Sequence, residues 1–275
     1  MPVDQATLNV ITSFADRAGL VRQRVLGYIE RVWGSLDSWR AADIDRFVNA
    51  VVPVVTGGQT QIAALTDAYL AAVEQAMTGL PVRPVGVPAS LVTDEAIRGV
   101  AADEVYRRPG VEVWTSLSRG DTLTWAVRQG LHRALSIGAT DLQLAKTAAS
   151  RHVLSKKDHV VGYRRVLSGS KSCGLCAVAS SQRYRKQDLL PIHPGCDCGV
   201  VPIIGHDDPG QVIDPDTLSG IHEAIADRFG VASEGARATG TLPDYRDVLV
   251  THEHGEIGPV LAVRGQHFDG PSVVA

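Results

Sequence analysis

The chain has 275 residues, 44% hydrophobic and 21% charged, enough apolar material for one large domain or two ordinary ones. The longest apolar run, 50–55, is broken by Pro53 and falls far short of the roughly 20 residues a membrane helix needs. Asp4, Gln5 and Asn9 interrupt any leader-like start, so a soluble product made in the cytoplasm, with no membrane partner, is expected. Aromatics are only 5% while glycine reaches 27 residues, a composition that favours helices packed through small side chains.

In chain order, Ile11, Phe14, Ala18, Val21, Val25, Tyr28 and Val32 recur at alternating steps of three and four, the period of one helix face, and Gly34 is a natural terminator. A second helix begins near Ala42 with Ile44, Phe47, Val48 and Val51 on one side, and Pro53 with Gly57–Gly58 is expected to interrupt it. A third is expected over 59–77, with Ile62, Leu65, Tyr69 and Val73 inward. The stretch "TGLPVRPVGVPAS", 78–90, reads as an extended linker because proline restricts both itself and the residue before it. Thr93 is a good N-cap, with Asp94 and Glu95 in the first turn, for a helix expected to end at Pro109–Gly110. Another follows Ser118 with Leu123, Val127, Leu131 and Leu135 inward, broken at Gly138, and Thr140 caps a last one reaching Val153.

Beyond this helical body, 160–167 and 198–204 are short β-branched runs that read as strands, with an irregular connection through "LLPIHPGC". Asp214-Pro215 reads as the start of a helix to Gly230 with Leu218, Ile221, Ile225 and Phe229 buried, and "GEIGPVLAV" as a hairpin. The expected class is mainly α. A long helical N-terminal body precedes a small zinc-stapled α+β subdomain and an irregular acidic tail. The boundaries are a helical hairpin or bundle over 1–78, a Pro/Gly linker over 79–92, and a second helical segment over 93–158. A zinc-binding basic subdomain follows over 159–204, then a C-terminal helix and extended acidic tail over 205–275.

All four cysteines fall in one stretch, as Cys173-x2-Cys176-x16-His193-x2-Cys196-x-Cys198. A Cys-x2-Cys pair turns two thiolates toward one tetrahedral centre, which suits zinc. His193-Pro194-Gly195-Cys196 has the proline and glycine of a type II turn, which brings its two ends together. Five candidate ligands exceed the four positions of a structural zinc site. Cys173, Cys176, His193 and Cys196 are the preferred set, with Cys198 a substitute ligand or a buried thiol at a strand start. A Cys-x-Cys pair is the alternative, since alternate residues of a strand face the same side. Two disulfides or simple burial of the thiols are the non-metal readings; a reducing compartment favours metal.

A catalytic zinc keeps one position for water and has a base nearby. Here the ligands suffice to close the site, and neither Asp188 nor Asp197 stands at a recognised spacing, so the expected metal is structural. His252-Glu253-His254 lacks the i, i+4 spacing of a metalloprotease helix and reads as part of a solvated hairpin, and His206-Asp207-Asp208 as a turn. There is no phosphate-binding glycine loop and no nucleophile elbow, and the protein is expected not to be an enzyme.

Charge is distributed unevenly although the formal net value is −3. Segment 151–186 holds nine Lys/Arg against Asp158 alone, and 205–275 holds twelve Asp/Glu against four Arg. Arg164, Arg165, Lys171, Arg183, Arg185 and Lys186 flank the first two cysteines and are the candidate contacts to nucleic acid or an acidic partner. The plainer reading is a solvated basic face, or one that neutralises the acidic tail.

The stretch "VVGYRRVLSGSKSCGLCAVASSQRYRKQDLLPIHPGCDCGVVPI", 160–203, resembles the Mu F-like minor head proteins of tailed bacteriophages, most closely those of actinobacteriophages. The motif carrying the resemblance is C-x2-C followed by H-P-x-C-x-C and an apolar strand, and "HGEIGPVLAVRGQHFDGP", 254–271, is similar to the tail of the same versions. The resemblance implies a minor virion component in the head near the portal vertex, present in several copies and assembled in the host cytoplasm. Its implied partners are the portal or major capsid protein and packaged DNA. Its implied zinc site is carried by Cys173, Cys176, His193, Cys196 and Cys198. Some members carry a toxin or protease domain, and with only 206–275 following the motif here, that activity is not expected of this chain. Asp197 stands where the family often has a basic residue, which removes one expected DNA contact. The alternative is a zinc-containing, non-specific DNA-binding protein acting in the host cell.

Overall fold

The computed structural model describes residues 4–167, 176, 179–180, 182–192, 196, 198–210, 249–254 and 258–263. Helix α1 (Gln5–Gly34) starts at Asp4, whose carboxylate accepts from the Thr7 amide at 2.8 Å and the Thr7 hydroxyl at 2.9 Å. Ile11, Phe14, Val21 and Val25 are buried as their spacing predicts, with Ile29 and Trp33 extending the stripe.

Helices α2 (Ala41–Thr78) and α5 (Leu123–Ser155) pack against α1, and α4 (Ala102–Ser118) against α2 and α5, around one core in which Ile29, Trp33, Phe47, Val51, Tyr106, Val113 and Ile137 are buried. Each such side chain withdrawn from water contributes about 2 kcal/mol. A five-residue helix, α3 (Asp94–Arg98), lies between α2 and α4 and is closed by Gly99 in a left-handed conformation.

Every helix break expected from proline and glycine inside these segments is absent. α2 runs 38 residues through Pro53 and Gly57–Gly58, α4 runs through Pro109–Gly110, and α5 runs 33 residues through Gly138. Pro53 sits on the exposed face, where the Asn49 carbonyl that loses its donor meets water. The buried glycines are contact points between helices. A Cβ on Gly58 would stand 2.7 Å from Val25, on Gly110 2.7 Å from Ile44, on Gly130 2.5 Å from Trp33, and on Gly138 2.5 Å from Ile29. For the same reason α5 buries Ala126, Gly130 and Ala134, while Leu123 is exposed and Val127, Leu131 and Leu135 only edge the core.

The linker after α2 is extended as expected and is pinned rather than loose. The buried Asp67 carboxylate accepts from the amides of Val85 at 3.0 Å and Gly86 at 2.7 Å. Deeper in the bundle Asp141, fully buried, pairs with Arg98 at 2.5 Å and accepts from the Tyr106 hydroxyl at 2.7 Å. Burial pushes the Asp141 carboxyl upward against the pull of Arg98 and Tyr106.

At the end of α5 the chain enters an antiparallel sheet of strand order β2-β1-β3, formed by β1 (Val160–Val166), β2 (Arg183–Arg185) and β3 (Gly199–Ile204). The two expected strands are β1 and β3. The short edge strand β2 falls in a stretch that the sequence shows only as basic. Tyr163 pairs with Tyr184 and Arg164 with Arg183, and β3 lines the other side with Arg165 opposite Val200. Gly162 is required by packing, since a Cβ there would stand 2.5 Å from the Tyr184 carbonyl oxygen.

This sheet shares a core with the helices. Phe14, Tyr69, Val73, Val153 and Leu154 pack with Val160, Tyr163, Val166, Val200 and Val201. Phe14 and Tyr69 stack at 4.2 Å, and the Tyr69 hydroxyl donates to the Val200 carbonyl at 2.9 Å. Lys157 and Glu74 close the seam as a buried ion pair, and His159 meets the other Glu74 oxygen at 2.8 Å. The 159–204 segment is therefore continuous with the helical body at β1 and β3.

A second hairpin, β4 (Leu249–His254) with β5 (Gly258–Val263), matches the one expected around "GEIGPVLAV" and includes His252-Glu253-His254 in β4. The helix expected from Asp214 to Gly230 lies outside the described residues. The protein is mainly α with a small antiparallel sheet, and among the described residues no helix is long and apolar enough to cross a membrane.

Candidate metal centre

Three of the four cysteines converge. The sulfurs of Cys176 and Cys196 are 3.1 Å apart, those of Cys196 and Cys198 2.7 Å, and those of Cys176 and Cys198 4.0 Å. All exceed the about 2.05 Å of a disulfide bond. A zinc ion at about 2.3 Å from each thiolate spaces them by about 3.8 Å; the Cys176–Cys198 pair meets that spacing, and the two pairs with Cys196 lie closer than it. Cys198 directly precedes β3, which starts at Gly199.

Cys198, expected as a substitute ligand or a buried thiol, lies beside Cys176 and Cys196, with its sulfur 2.7 Å from that of Cys196. Cys173 and His193 lie outside the described residues. Among the described residues Cys176, Cys196 and Cys198 are the one group with metal-ligand geometry. Soft sulfur donors without a carboxylate fit zinc, copper(I) or an iron–sulfur cluster and exclude magnesium and calcium as natural occupants.

The surroundings hold the cluster in place. Cys176 and Cys196 pack with Ala179 and Ile192, all buried. The Cys196 amide donates to the Gln143 side-chain oxygen of α5 at 3.2 Å, so the centre is tied to that helix. Arg151, also on α5, donates to the Leu189 carbonyl at 2.7 Å, and the Tyr163 hydroxyl donates to the Asp188 carbonyl at 3.1 Å. Spacing in the sequence carries no sign of Gln143, because its contact spans 53 positions.

Electrostatically the centre is a buried thiol group beside one buried cation. The Cys198 thiol is pushed up to about 11: a hydrogen bond with Cys176 lowers it, while the bond to Cys196 and burial outweigh that. A neutral thiol at pH 7 binds a metal only by giving up its proton to it. Arg165 is 4% exposed, with Nη1 3.9 Å from the Cys198 sulfur and Nη2 donating to the Leu190 carbonyl. Its guanidinium lies 5.9 Å from the Tyr163 ring centroid and 5.5 Å from that of Tyr184, two rings that stack at 5.1 Å. Burial works against the Arg165 charge, and the sulfurs and tyrosine hydroxyls more than restore it.

The candidate basic surface is correspondingly smaller than the sequence suggests. Arg164 turns inward and forks onto Asp208 at 2.5 and 2.9 Å, and Arg183, opposite it in the ladder, binds the same carboxylate. Burial raises the Asp208 carboxyl, but Arg164, the Gly210 amide and Arg183 hold it below the usual carboxylate range. Arg164 and Arg165 are thus internal, against their expected place on a contact surface. The like charges of Arg164 and Arg183 on neighbouring strands are tolerable because both bind the Asp208 carboxylate. Arg185 is exposed, Lys186 donates to the Lys157 carbonyl at 3.0 Å, and Lys171 lies outside the described residues. The acidic turn at Asp208 is a neutralising partner, as the plainer reading of the charge blocks anticipates.

A cleft between α5 and β3 opens beside Cys198 and Arg165, lined also by Lys146, Thr147, Ser150 and Tyr69. Among the described residues its wall carries neither a carboxylate nor an imidazole. No family model, curated protein or solved structure matches the chain.

Proposed function

We propose that the chain is a non-catalytic structural protein of a tailed bacteriophage head, a portal-associated minor component acting in head assembly and in packaging or ejection of DNA, with a structural zinc. The observation that supports the reading is the convergence of Cys176, Cys196 and Cys198 within the motif that resembles Mu F-like minor head proteins. Zinc would be held by these thiolates, with Cys173 and His193 the candidates for the remaining position. Its chemistry there is to fix the 176–198 connection in one shape, since Cys176, Ala179, Ile192 and Cys196 are too few to do so by burial alone. The absence of a carboxylate or imidazole among the described residues of the adjoining cleft favours a structural over a hydrolytic metal.

The inward turn of Arg164 and Arg165 makes the non-specific DNA-binding alternative the weaker reading, because two of its candidate contacts are used inside the fold. Quantitative mass spectrometry of purified virions from a host producing this chain tests the proposal. Detection in several copies per particle, cross-linked to the portal or capsid protein, supports it; absence from particles overturns it.

A further inference from the structure

Arg165 poses a problem of charge. A guanidinium cannot shed its proton in a protein, and burying it away from water without a counter-charge is expensive. Among the described residues no carboxylate pairs with it, and its Nε is buried without a hydrogen-bond partner. Its other nitrogens meet one carbonyl and approach one sulfur, while two stacked tyrosine rings supply only weaker, face-directed attraction. Among the described residues, the group nearest to Arg165 that is able to carry a full negative charge is the thiol cluster.

We infer that Arg165 is the fixed counter-charge of a metal–thiolate centre formed by Cys176, Cys196 and Cys198, and that it sets how tightly that centre holds its metal. The inference rests on the metal-binding reading of the cluster and deepens it. Thiolates around a divalent ion leave excess negative charge, −1 for three thiolates with a neutral His193 as the fourth ligand and −2 with Cys173 there, and the guanidinium offsets one unit of it. On this reading Cys198, the sulfur that Arg165 approaches, is a ligand. The fork matters as well as the charge. One arm anchors on the Leu190 carbonyl, so the other is aimed at Cys198 without loss of side-chain freedom on binding. Arg165 acts through the ligands and is a positioning residue.

Cobalt(II) titration of the metal-free full-length protein tests this, because sulfur-to-cobalt charge transfer reports both affinity and the number of thiolates. Wild type is expected to show a thiolate band. Arg165→Met, which keeps the length and removes the charge, is expected to bind about 10- to 100-fold more weakly, the range for partners that support metal ligands. Arg165→Lys is expected to recover part of that loss, and Cys198→Ser to lose one thiolate's share of the band. In a Cys198→Ser background the Arg165→Met penalty should shrink. Helical circular dichroism checks that each variant retains its body. Absence of a thiolate band in wild type would overturn the metal reading itself. A normal wild-type band with Arg165→Met binding equally tightly, or with Arg165→Lys no better than Arg165→Met, would overturn only the role of Arg165.

Discussion

The two ends of the molecule are built on different physics. The helical end buries Trp33, Ile44, Phe47, Tyr106 and Val113 in one continuous apolar core, and its closest contacts are backbone against side chain at Gly58, Gly110, Gly130 and Gly138. The thiol end has a cluster of four buried apolar residues, two of them cysteines, and beside it two arginines buried in adjacent positions. An apolar core is stable by its area, whereas a thiol-and-arginine end needs each charge matched. One chain can thus place a charge-dependent element on a body whose core is mainly apolar and holds one deep ion pair, Arg98–Asp141. The splice is β1 and β3, which pack against α1, α2 and α5.

The difference can be broken first at Asp208. Asp208→Asn leaves Arg164, largely buried, facing Arg183 across the ladder with no carboxylate between them. A cost of about 3 kcal/mol in urea unfolding is expected, as for other broken buried pairs. The folded carboxyl lies below its unfolded value, so its stabilisation is complete above about pH 4 and is lost as pH falls through the lower folded pKa. Stability of wild type and Asp208→Asn measured against pH should therefore converge in strong acid and separate above it; a constant gap would contradict the assignment.

At the helical end the test is steric and smaller. Gly130→Ala puts a methyl group 2.5 Å from the Trp33 ring, 2.6 Å from Val113 and 2.9 Å from the Pro109 carbonyl oxygen. It should cost about 2 kcal/mol. Gly57→Ala meets nothing within 4 Å on an exposed helical position and should add about 0.7 kcal/mol through helix propensity. The pair of denaturation midpoints should move in opposite directions. Both moving the same way would mean the glycines of this bundle are not sorted by contact.

The same glycines explain what the sequence did and did not disclose. Helical periodicity located α1 and the inward faces of α2, since large apolar residues mark those stripes. It failed at Gly58, Gly110 and Gly138, because a glycine that lets two helices touch and a glycine that ends a helix look alike in one sequence. On α5 the small residues Ala126, Gly130 and Ala134 are the buried ones, so the expected stripe of Leu and Val was rotated off the true contact. β1 and β3 were legible from their β-branched runs. β2 was hidden because two arginines flanking one tyrosine carry no period.

At the site, the spacing of cysteines found the group but not its internal order. Cys198 lies with Cys176 and Cys196, directly before β3. Arg165 was read as surface from its charge. A better signal was available in its position two residues after Tyr163 in an apolar strand, which puts it on the same side of the sheet as a large aromatic. Gln143 had no local signal, because only folding brings α5 to Cys196.

The central claim is that metal and matched charge hold the thiol end while the body stands without them. Amide hydrogen exchange on the full-length protein, with and without a strong chelator, tests it most directly. The account predicts that chelation strips protection from 182–192, including β2, while α1, α2 and α5 keep theirs. Protection at 182–192 that is unchanged by chelation, or lost together with that of the three helices, would contradict it.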